Sequence, residues 1–591
     1  MANIAQLLTG HMDIWTAAET ERKSGRGRAS GNGSSVYGVK KLRELILELA
    51  VRGKLVPQDP NEEPASELIK RIQAEKAKLI AEGKLKKEKQ LAPIAEDEKP
   101  FELPQGWGWV YFGEIAQHNS GKTLDKGRNK GVLRDYITTS NLYWGMFELD
   151  NVKQMPIEES ELEKCTAQKG DLLICEGGEA GRAAVWTLDK EVCFQNHIHR
   201  ARMHGNISPF YAYRYFEKLN ASGEIEQYRK GVGISNMSGK ALASVIFALP
   251  PLAEQHRIVA KVDELMALCD QLEQQHSNAQ EAHETLVSQL LTTLTQSRNA
   301  AEFNANWQRI QAHFDLLFTT EASIDALKQT LLQLAVMGKL VPQDPNDEPA
   351  SELLKRIQAE KTKLIAAGKL KKEKPLAPIP EEEKAFELPK GWEWVKLDQL
   401  ALSSEAGWSP QCLGAPREHG KWGVLKVSAV TWGEFRPEEN KALPDNFVPK
   451  PEYEVKAGDF LISRANTSEL VAKAVVVPLN APSKLMMSDK IIRFVISEQI
   501  SSEFLNLVNN SSFSRSYYAK VAGGTSSSMK NVSREQIRNL VIALPSKNEQ
   551  RHTVAKVDAL MALCDQLKTR LQQASQQQQA IADALVAQAV A

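Results

Sequence analysis

The sequence predicts a mixed α+β fold used twice: two lobes rich in short strands, joined by long helices that pair with each other. Three observations carry that expectation. First, residues 53–94 (GKLVPQDPNEEPASELIKRIQAEKAKLIAEGKLKKEKQLAPI) return at 338–379 with 37 of 42 positions identical. Only Glu62/Asp347, Ile69/Leu354, Ala77/Thr362, Glu82/Ala367 and Gln90/Pro375 differ. Second, AKVDELMALCDQL at 260–272 returns as AKVDALMALCDQL at 555–567. Third, the stretches between these fixed segments diverge, although paired landmarks keep their order. The offset grows from 285 to 295 residues between the two echoes. Such a period is far too long for a solenoid unit, so a whole module has been used twice. The chain repeats its frame and varies its filling, giving a pseudo-twofold internal repeat.

Composition bounds the class. At 591 residues the chain is long enough for several domains, each with its own core. Lys+Arg and Asp+Glu are both 74, so the chain lacks the uniformly basic balance of a protein that coats nucleic acid. Any nucleic-acid contact must come from local basic patches. None of the six cysteines (Cys165, Cys175, Cys193, Cys269, Cys412, Cys564) forms a CxxC pair, which fits a reducing cytoplasm better than a disulfide framework. No run of about 18 apolar residues is present, so neither a membrane span nor a signal core is expected.

Taken in order, residues 1–21 suit a short amphipathic helix around Ile4, Leu7, Leu8, Ile14 and Trp15. Residues 24–38 are a Gly/Ser linker. Its Arg26 and Arg28 suit either a solvated tether or a phosphate contact. Leu42, Ile46 and Leu49 recur at helical spacing over 39–51. Gly53 ends that helix, and residues 57–60 form a turn. Ser66 reads as the N-cap of a charged helix over 67–82, closed by Gly83. The basic runs KLKKEKQ (84–90) and KLKKEKP (369–375) follow the two copies of this helix.

From Phe101 the texture turns to short apolar runs among Gly and Asn turns, the mark of strands. The paired landmarks are ELPQGWGWV (102–110) with ELPKGWEWV, GDLLI (170–174) with GDFLI, TTSNLYWGMFE with KVSAVTWGEFR, and GISNMS (233–238) with SSSMKNVS. A long helix follows ALPPLAEQHRIV. Its heptad positions run Ile258, Val262, Leu265, Cys269, Leu272, His276, Ala279, His283, Leu286, Leu290. The second copy gives Val557, Leu560, Cys564, Leu567, Leu571, Ala574, Gln578, Ile581, Leu585. Three to four heptads of this kind argue for a coiled coil. Residues 260–290 alone would extend about 46 Å at 1.5 Å per residue.

The ordered landmarks, with FALPPLAEQHRIVAKVDELM (247–266) and its mate IALPSKNEQRHTVAKVDALM, resemble the DNA-specificity subunit of Type I restriction–modification enzymes, in the Type IB (EcoA-like) branch. The resemblance covers nearly the whole chain. It implies an N-terminal helix and linker at 1–38, a conserved helical region at 39–105 and a first target-recognition domain at 106–250. A central conserved region at 251–388, a second target-recognition domain at 389–545 and a C-terminal helix at 546–591 follow. It further implies that the long helices form an antiparallel coiled coil, which sets the spacing between two half-sites of double-stranded DNA. The implied partners are two methyltransferase subunits and two restriction/translocase subunits. S-adenosylmethionine would belong to the former and ATP with Mg²⁺ to the latter, leaving no cofactor on this chain.

Motifs for chemistry are fragmentary. Gly121-Lys122-Thr123 ends like a phosphate loop, but Ala116 stands where the first glycine is required. His197 and His199 suggest metal ligands, yet the second copy has Lys490-Ile491-Ile492 there, so no metal is expected. Asp445, Glu454 and Lys456 mimic a PD…ExK nuclease pattern that would hold Mg²⁺, but the first copy lacks it. The chain therefore reads as non-catalytic, with a Mg²⁺-dependent nuclease and a scaffold that does not touch DNA as the alternatives.

Base readers are expected in the divergent segments, where Arg, Lys, Asn and Gln reach groove edges. In the first lobe the candidates are Lys122, Lys126, Arg128, Asn129, Lys130 and Arg134, then Asn141 and Tyr143 beside Trp144. In the second they are Trp408, Gln411, Arg417, Lys421, Arg464, Asn466 and Lys530, the last in the loop 523–530. For each the alternative is a solvated surface residue, or core for Trp144 and its mate Trp432. The expected seam residues for pairing and docking are Ile258, Val262, Leu265, Leu272, Leu286, Val557, Leu560, Leu567, Leu571 and Ile581.

Overall fold

The computed structural model describes residues 12–17, 36–83, 91–123, 125, 127, 130–231, 235–298, 300–370, 377–431, 433–524 and 529–590. Arg26, Arg28, Lys126, Arg128, Asn129, Trp432, the run 84–90 and most of 369–375 lie outside them. The chain divides into two compact units, 1–280 with 573–591, and 281–572. No described helix is long and apolar enough to cross a membrane.

In the first unit, helix Tyr37–Val51 buries Leu42, Leu45, Ile46 and Leu49. Helix Met12–Ala17 packs on its start: Trp15 is fully buried, and a Cβ on Gly38 would sit 2.4 Å from the Trp15 carbonyl oxygen. The charged helix is Ala65–Ala81, with Pro64 at its N-cap and no capping side chain, so Ser66 lies inside it. The reason is the close approach of the chain ahead of the lobe, where the Ala65 amide donates to the Gly106 carbonyl (2.8 Å) and Ala65 is buried.

The lobe begins and ends in one ribbon, Gly108–Tyr111 antiparallel to Ile246–Leu249. Between them lies a four-stranded sheet in the order Ala183–Val185, Leu172–Cys175, Ile198–Met203, Ala116–Ser120. A second sheet runs Lys153–Ile157, Val132–Ile137, Val192–Phe194, Thr166–Ala167, and its two middle strands are parallel. Helix Pro209–Ala221 is capped by the Ser208 hydroxyl, which accepts from the Tyr211 amide.

The second unit repeats this plan. Helices Glu321–Val336 and Ala350–Ala366 form the frame. Ribbon Glu393–Lys396/Val541–Leu544 holds its strands in the same register, and the four-stranded sheet has the same order: Ala474–Val476, Phe460–Ser463, Ile491–Ile496, Ala401–Ala406. Its smaller sheet, Asn440–Ala442, Gly423–Leu425, Leu485–Met486, keeps the parallel pair. The lobes are mixed α/β and share one topology.

A buried clamp joins lobe to long helix in each unit. The Trp107 indole donates to Glu254 Oε2 (3.0 Å) and the Gln58 amide to Glu254 Oε1 (3.1 Å). Trp392 and Gln343 make the same bonds to Glu549 at 2.9 and 3.2 Å. Burial pushes both carboxyls above their ordinary pKa, against the pull of those donors. Gln255 and Gln550 each accept from the amide of the serine that caps the lobe helix, Ser208 and Ser501 (2.9 and 3.0 Å). One difference between the copies is compensated. Glu62 pairs with Arg257, whereas its mate Asp347 accepts from Ser546 (2.6 Å) and Asn548 (2.9 Å), so the divergent start SKNEQRHTV packs equivalently.

The long helices are Leu252–Thr295 and Lys547–Val590, 44 residues each, about 66 Å at 1.5 Å per residue. Ile258, Val262, Leu265 and Cys269 share the first unit's core with Ala582, and Leu272 and Leu585 pack against it. Val287, Leu291 and Leu294 share a core of the second unit with Cys564, and Leu560, Leu567 and Leu571 pack against it. The first half of one helix thus meets the last turns of the other, as an antiparallel pair requires. Frame helices join each seam: Arg43 reaches Asp270 (2.6 Å), and Lys568 reaches Asp325 (3.0 Å).

The expected heptad register needs one correction. Leu286 and Ile581 are 49% and 47% exposed, and the next residues, Val287 (2%) and Ala582 (0%), are the buried ones. The inward positions step 272, 276, 280, 283, 287 in one helix and 567, 571, 575, 578, 582 in the other. Two successive steps of four replace the expected four and three. A helix of 3.6 residues per turn drifts from a strict seven-residue repeat, and this stutter absorbs the drift at repeat-equivalent places.

Candidate nucleic-acid interface

The edge of each lobe is built by a chain crossing. The strand ending at Ser120 passes over residues 194–198, and Gly121 makes the close approach, since a Cβ there would lie 2.0 Å from the Phe194 carbonyl oxygen. In the second lobe Gly407 crosses Met487 with the same clearance, 2.1 Å. Only glycine admits a backbone that close.

Five backbone hydrogen bonds fix the crossing, and all five occur in both lobes. Gly121 donates to Ile198 (3.2 Å) and Lys122 to Phe194 (3.0 Å), as Gly407 does to Ile491 (3.2 Å) and Trp408 to Met487 (2.9 Å). Ile198 donates to Gln195 (2.9 Å) and Glu176 to His197 (2.8 Å), as Ile491 does to Ser488 (3.0 Å) and Arg464 to Lys490 (2.8 Å). Met237 donates to Glu176 (2.8 Å), and Val532 to Arg464 (2.9 Å). A two-stranded ribbon completes each edge, Gly177–Gly178 with Ser235–Asn236 and Ala465–Asn466 with Lys530–Asn531. Lys122 and Trp408 are therefore structural mates, which explains Gly121-Lys122-Thr123: it is a strand crossing and not a phosphate loop.

From beneath, a buried arginine holds each edge to its second sheet. Arg200 donates to the carbonyls of Glu163 (2.9 Å) and Thr166 (2.7 Å). Its mate Arg493 donates to Asp459 (2.9 Å) and to the carbonyls of Glu452 and Glu454. Burial lowers the Arg200 pKa, whereas the Glu405 and Asp459 carboxylates outweigh burial and raise that of Arg493.

Of the sequence candidates, Trp408, Arg464, Asn466 and Lys530 converge on the second edge. Lys450 lies 4.5 Å from the Trp408 ring centre, and Phe447 meets that ring edge-on at 6.0 Å. Lys530 Nζ donates to the Gly524 carbonyl (2.7 Å). Gln411, Arg417 and Lys421 sit on a neighbouring loop. There the Arg417 guanidinium staples the carbonyls of Lys421 (2.8 Å), Ser483 (2.6 Å) and Lys484 (2.9 Å), and Lys421 faces Asp445 at 3.5 Å.

In the first lobe Lys122 holds the edge and is paired with Glu161, whose carboxyl it keeps below the usual range. Lys130, just ahead of strand Val132–Ile137, and Arg134, within it, are exposed. Asn141 is turned inward: at 5% exposure it accepts from the Thr138 amide (2.9 Å) and donates to the Glu148 carbonyl (3.0 Å), holding a turn. Tyr143 stacks under Arg182 (5.4 Å), and the Trp144 indole donates to Glu179 (2.9 Å).

Sequence reading did not place Glu176, Asn196, His197, Asp489 or Lys490 among the base readers, although they stand on the same two edges, and it weighed His197 only as a metal ligand. The usable signal was a glycine at similar spacing after each GWxW landmark, Gly121 and Gly407, fifteen and sixteen residues beyond Gly106 and Gly391. The carboxylates of the nuclease pattern have separate attachments. Asp445 is a surface turn residue facing Lys421, and Glu454 accepts from the Lys484 amide (2.5 Å). Among the described residues no group of three His, Cys, Asp or Glu side chains is placed to hold a metal ion.

Residues 104–281 match the family of the Type I restriction modification DNA specificity domain. The chain is 44% identical to the Type I restriction enzyme EcoEI specificity subunit of Escherichia coli, over 98% of this chain and 99% of that one. It is 39% identical to the EcoAI specificity subunit of Escherichia coli, over the full length of both. A solved HsdS subunit from Thermoanaerobacter tengcongensis aligns with 83% of this chain and 98% of its own, at 16% identity and a TM-score of 0.41.

Proposed function

This chain belongs to the specificity subunits of Type I restriction enzymes, in the EcoA-like branch, and from that premise we propose that each lobe reads one half of a split, asymmetric DNA site. The observation that carries the reading is the pair of edges. One backbone, with the same five hydrogen bonds, presents Lys122, Glu176 and His197 in one lobe and Trp408, Arg464 and Lys490 in the other. Two copies of one scaffold with different side chains at the same places suit two unlike half-sites, and a single chain carrying both is free of the palindrome that a homodimer imposes.

The paired long helices serve as the spacer between half-sites, and the repeated frames dock two methyltransferase subunits, which in turn bring two restriction subunits. Methyl transfer from S-adenosylmethionine, ATP hydrolysis and Mg²⁺-dependent cleavage then belong to those partners, and this chain contributes recognition without catalysis. Formal charge is balanced at 74 and 74, so attraction to phosphates comes from local cations such as Lys130, Arg134 and Lys530 rather than from a global field.

The test is a gel-shift of the chain in complex with its methyltransferase subunits on randomised duplexes, followed by sequencing of the bound fraction. A bipartite motif with a fixed gap is expected, and affinity should fall steeply with salt through counterion release. Binding without sequence preference would overturn the reading, as would Mg²⁺-dependent cutting by the chain alone.

A further inference from the structure

Superimposing the two edges by their shared hydrogen bonds pairs Glu176 with Arg464, Asn196 with Asp489, and His197 with Lys490. Each pair keeps the same degree of exposure: half-buried at the first two positions, exposed at the third. Chemistry is what changes, an acid for a base, an amide for an acid, an imidazole for an ammonium. A position that keeps its backbone and exposure while reversing its charge is not being held for packing.

The partners of these side chains point the same way. The Arg464 guanidinium has no hydrogen-bond partner among the described residues, and its Nε is buried without one. One buried unpaired nitrogen costs about 1–3 kcal/mol, and the counter-charge near the guanidinium is the Asp489 carboxylate, which, against burial, Ser409, Lys490 and Arg464 hold below its ordinary pKa. Ser488, beside Asp489, likewise has a buried hydroxyl without a partner. In the first lobe the Glu176 carboxylate stands 4.0 Å from His199 Nε2, which is already engaged with the Met237 carbonyl (3.0 Å), and His199 Nδ1 is buried without a partner. By contrast, Arg417 and Lys122 are occupied within their lobes.

We propose that base discrimination lies at these equivalent positions, with Arg464 and Lys490 reading guanine in one lobe and Glu176 and Asn196 reading the amino groups of cytosine and adenine in the other. The assignment follows groove chemistry. Guanine offers O6 and N7 acceptors to a guanidinium, cytosine offers its N4 amino group to a carboxylate, and adenine offers N6 and N7 to an amide. Asp489, bound to the Ser409 hydroxyl and 3.3 Å from Lys490, orients that ammonium rather than meeting a base. This rests on the reading of the chain as a two-lobed DNA reader.

The experiment keeps the two failures apart. The chain is produced with its methyltransferase subunits, and methylated adenines are mapped on a plasmid library for the wild type, Arg464→Ala and Glu176→Ala. Binding of each complex to a matched duplex is measured alongside. Arg464→Ala should relax one guanine in one half-site, lowering discrimination there about ten- to a hundredfold and leaving the other half-site unchanged. Glu176→Ala should do the same at a cytosine of the other half. The unchanged half-site is the internal control for folding. A wild-type complex without a bipartite motif overturns the functional reading itself. A wild-type motif that both variants retain at every position overturns this inference alone, as does a uniform loss of affinity across all sequences, the signature of a phosphate contact.

Discussion

Replacing Glu254 by alanine tests the clamp between lobe and helix. Its carboxylate, 1% exposed, accepts from the Trp107 indole (3.0 Å) and the Gln58 amide (3.1 Å). Gln58 also donates to the Gly53 carbonyl (2.5 Å), so it keeps a partner, but no second acceptor for the indole is evident. Leaving one buried donor unpaired costs about 1–3 kcal/mol, and the one lost methylene costs about 0.8 kcal/mol. Removing a charge from a buried place offsets part of this. The net expectation is a loss of about 1–3 kcal/mol in the first unit, and the same for Glu549→Ala in the second. Glu254→Gln keeps the methylenes and an acceptor for the indole, so about 1 kcal/mol is expected. The pH dependence has a definite sign. The folded carboxyl titrates above its unfolded value because of burial, so the native state holds its proton longer. The stability this confers is present below about pH 4 and is lost as pH rises through the folded pKa. Relative to wild type, Glu254→Gln should therefore gain as pH rises from 4 to 7. Urea denaturation followed by indole fluorescence reads both effects. An alanine variant within about 0.5 kcal/mol of wild type, or a glutamine variant with the wild-type pH slope, would refute the argument.

Four other substitutions discriminate between features of the fold. Gly338→Ala should cost about 3 kcal/mol by thermal denaturation, because φ is +68° and the new methyl would lie 2.7 Å from Pro389 Cγ and 2.8 Å from the Trp392 ring. Val287→Ser should cost about 2 kcal/mol and Leu286→Ser under about 0.5; the opposite order would restore the unbroken heptad register. Gly407→Ala drives a methyl against the Met487 carbonyl oxygen at 2.1 Å, so in the methyltransferase complex it should weaken recognition of a single half-site at least about tenfold. Equal loss at both half-sites would contradict the separation of the two edges.

The frame was legible because near-identical sequence makes near-identical contacts: Gly53 and Gly338, Gln58 and Gln343, and the two seam motifs all occupy matched places. The lobes were legible in class, through short apolar runs and turn residues, but not in topology. Strand order depends on pairings such as Ile198–Met203 with Ala116–Ser120, far apart in the chain. The edges were harder still. Lys122 and Trp408 share no chemistry, and their equivalence lies in backbone hydrogen bonds that side-chain patterns do not report. The seam slip escaped for a related reason, since leucine and isoleucine at 286 and 581 fit a seven-residue count better than the Val287 and Ala582 that are buried.

The stutter in the long helices restricts how their length can vary. Each residue turns an α-helix by about 100°, so seven added residues rotate the apolar stripe backward by about 20° and eleven rotate it forward by the same amount. Adding both, eighteen residues, returns the stripe to its starting azimuth. Three or four residues added to one helix alone would swing its buried face by about 40–60°, out of line with a partner that keeps its own phase. Because the irregularity falls at matched points, 280 and 575, insertions and deletions here are expected to arise as concerted pairs across both halves of the gene, in steps of seven or eleven codons.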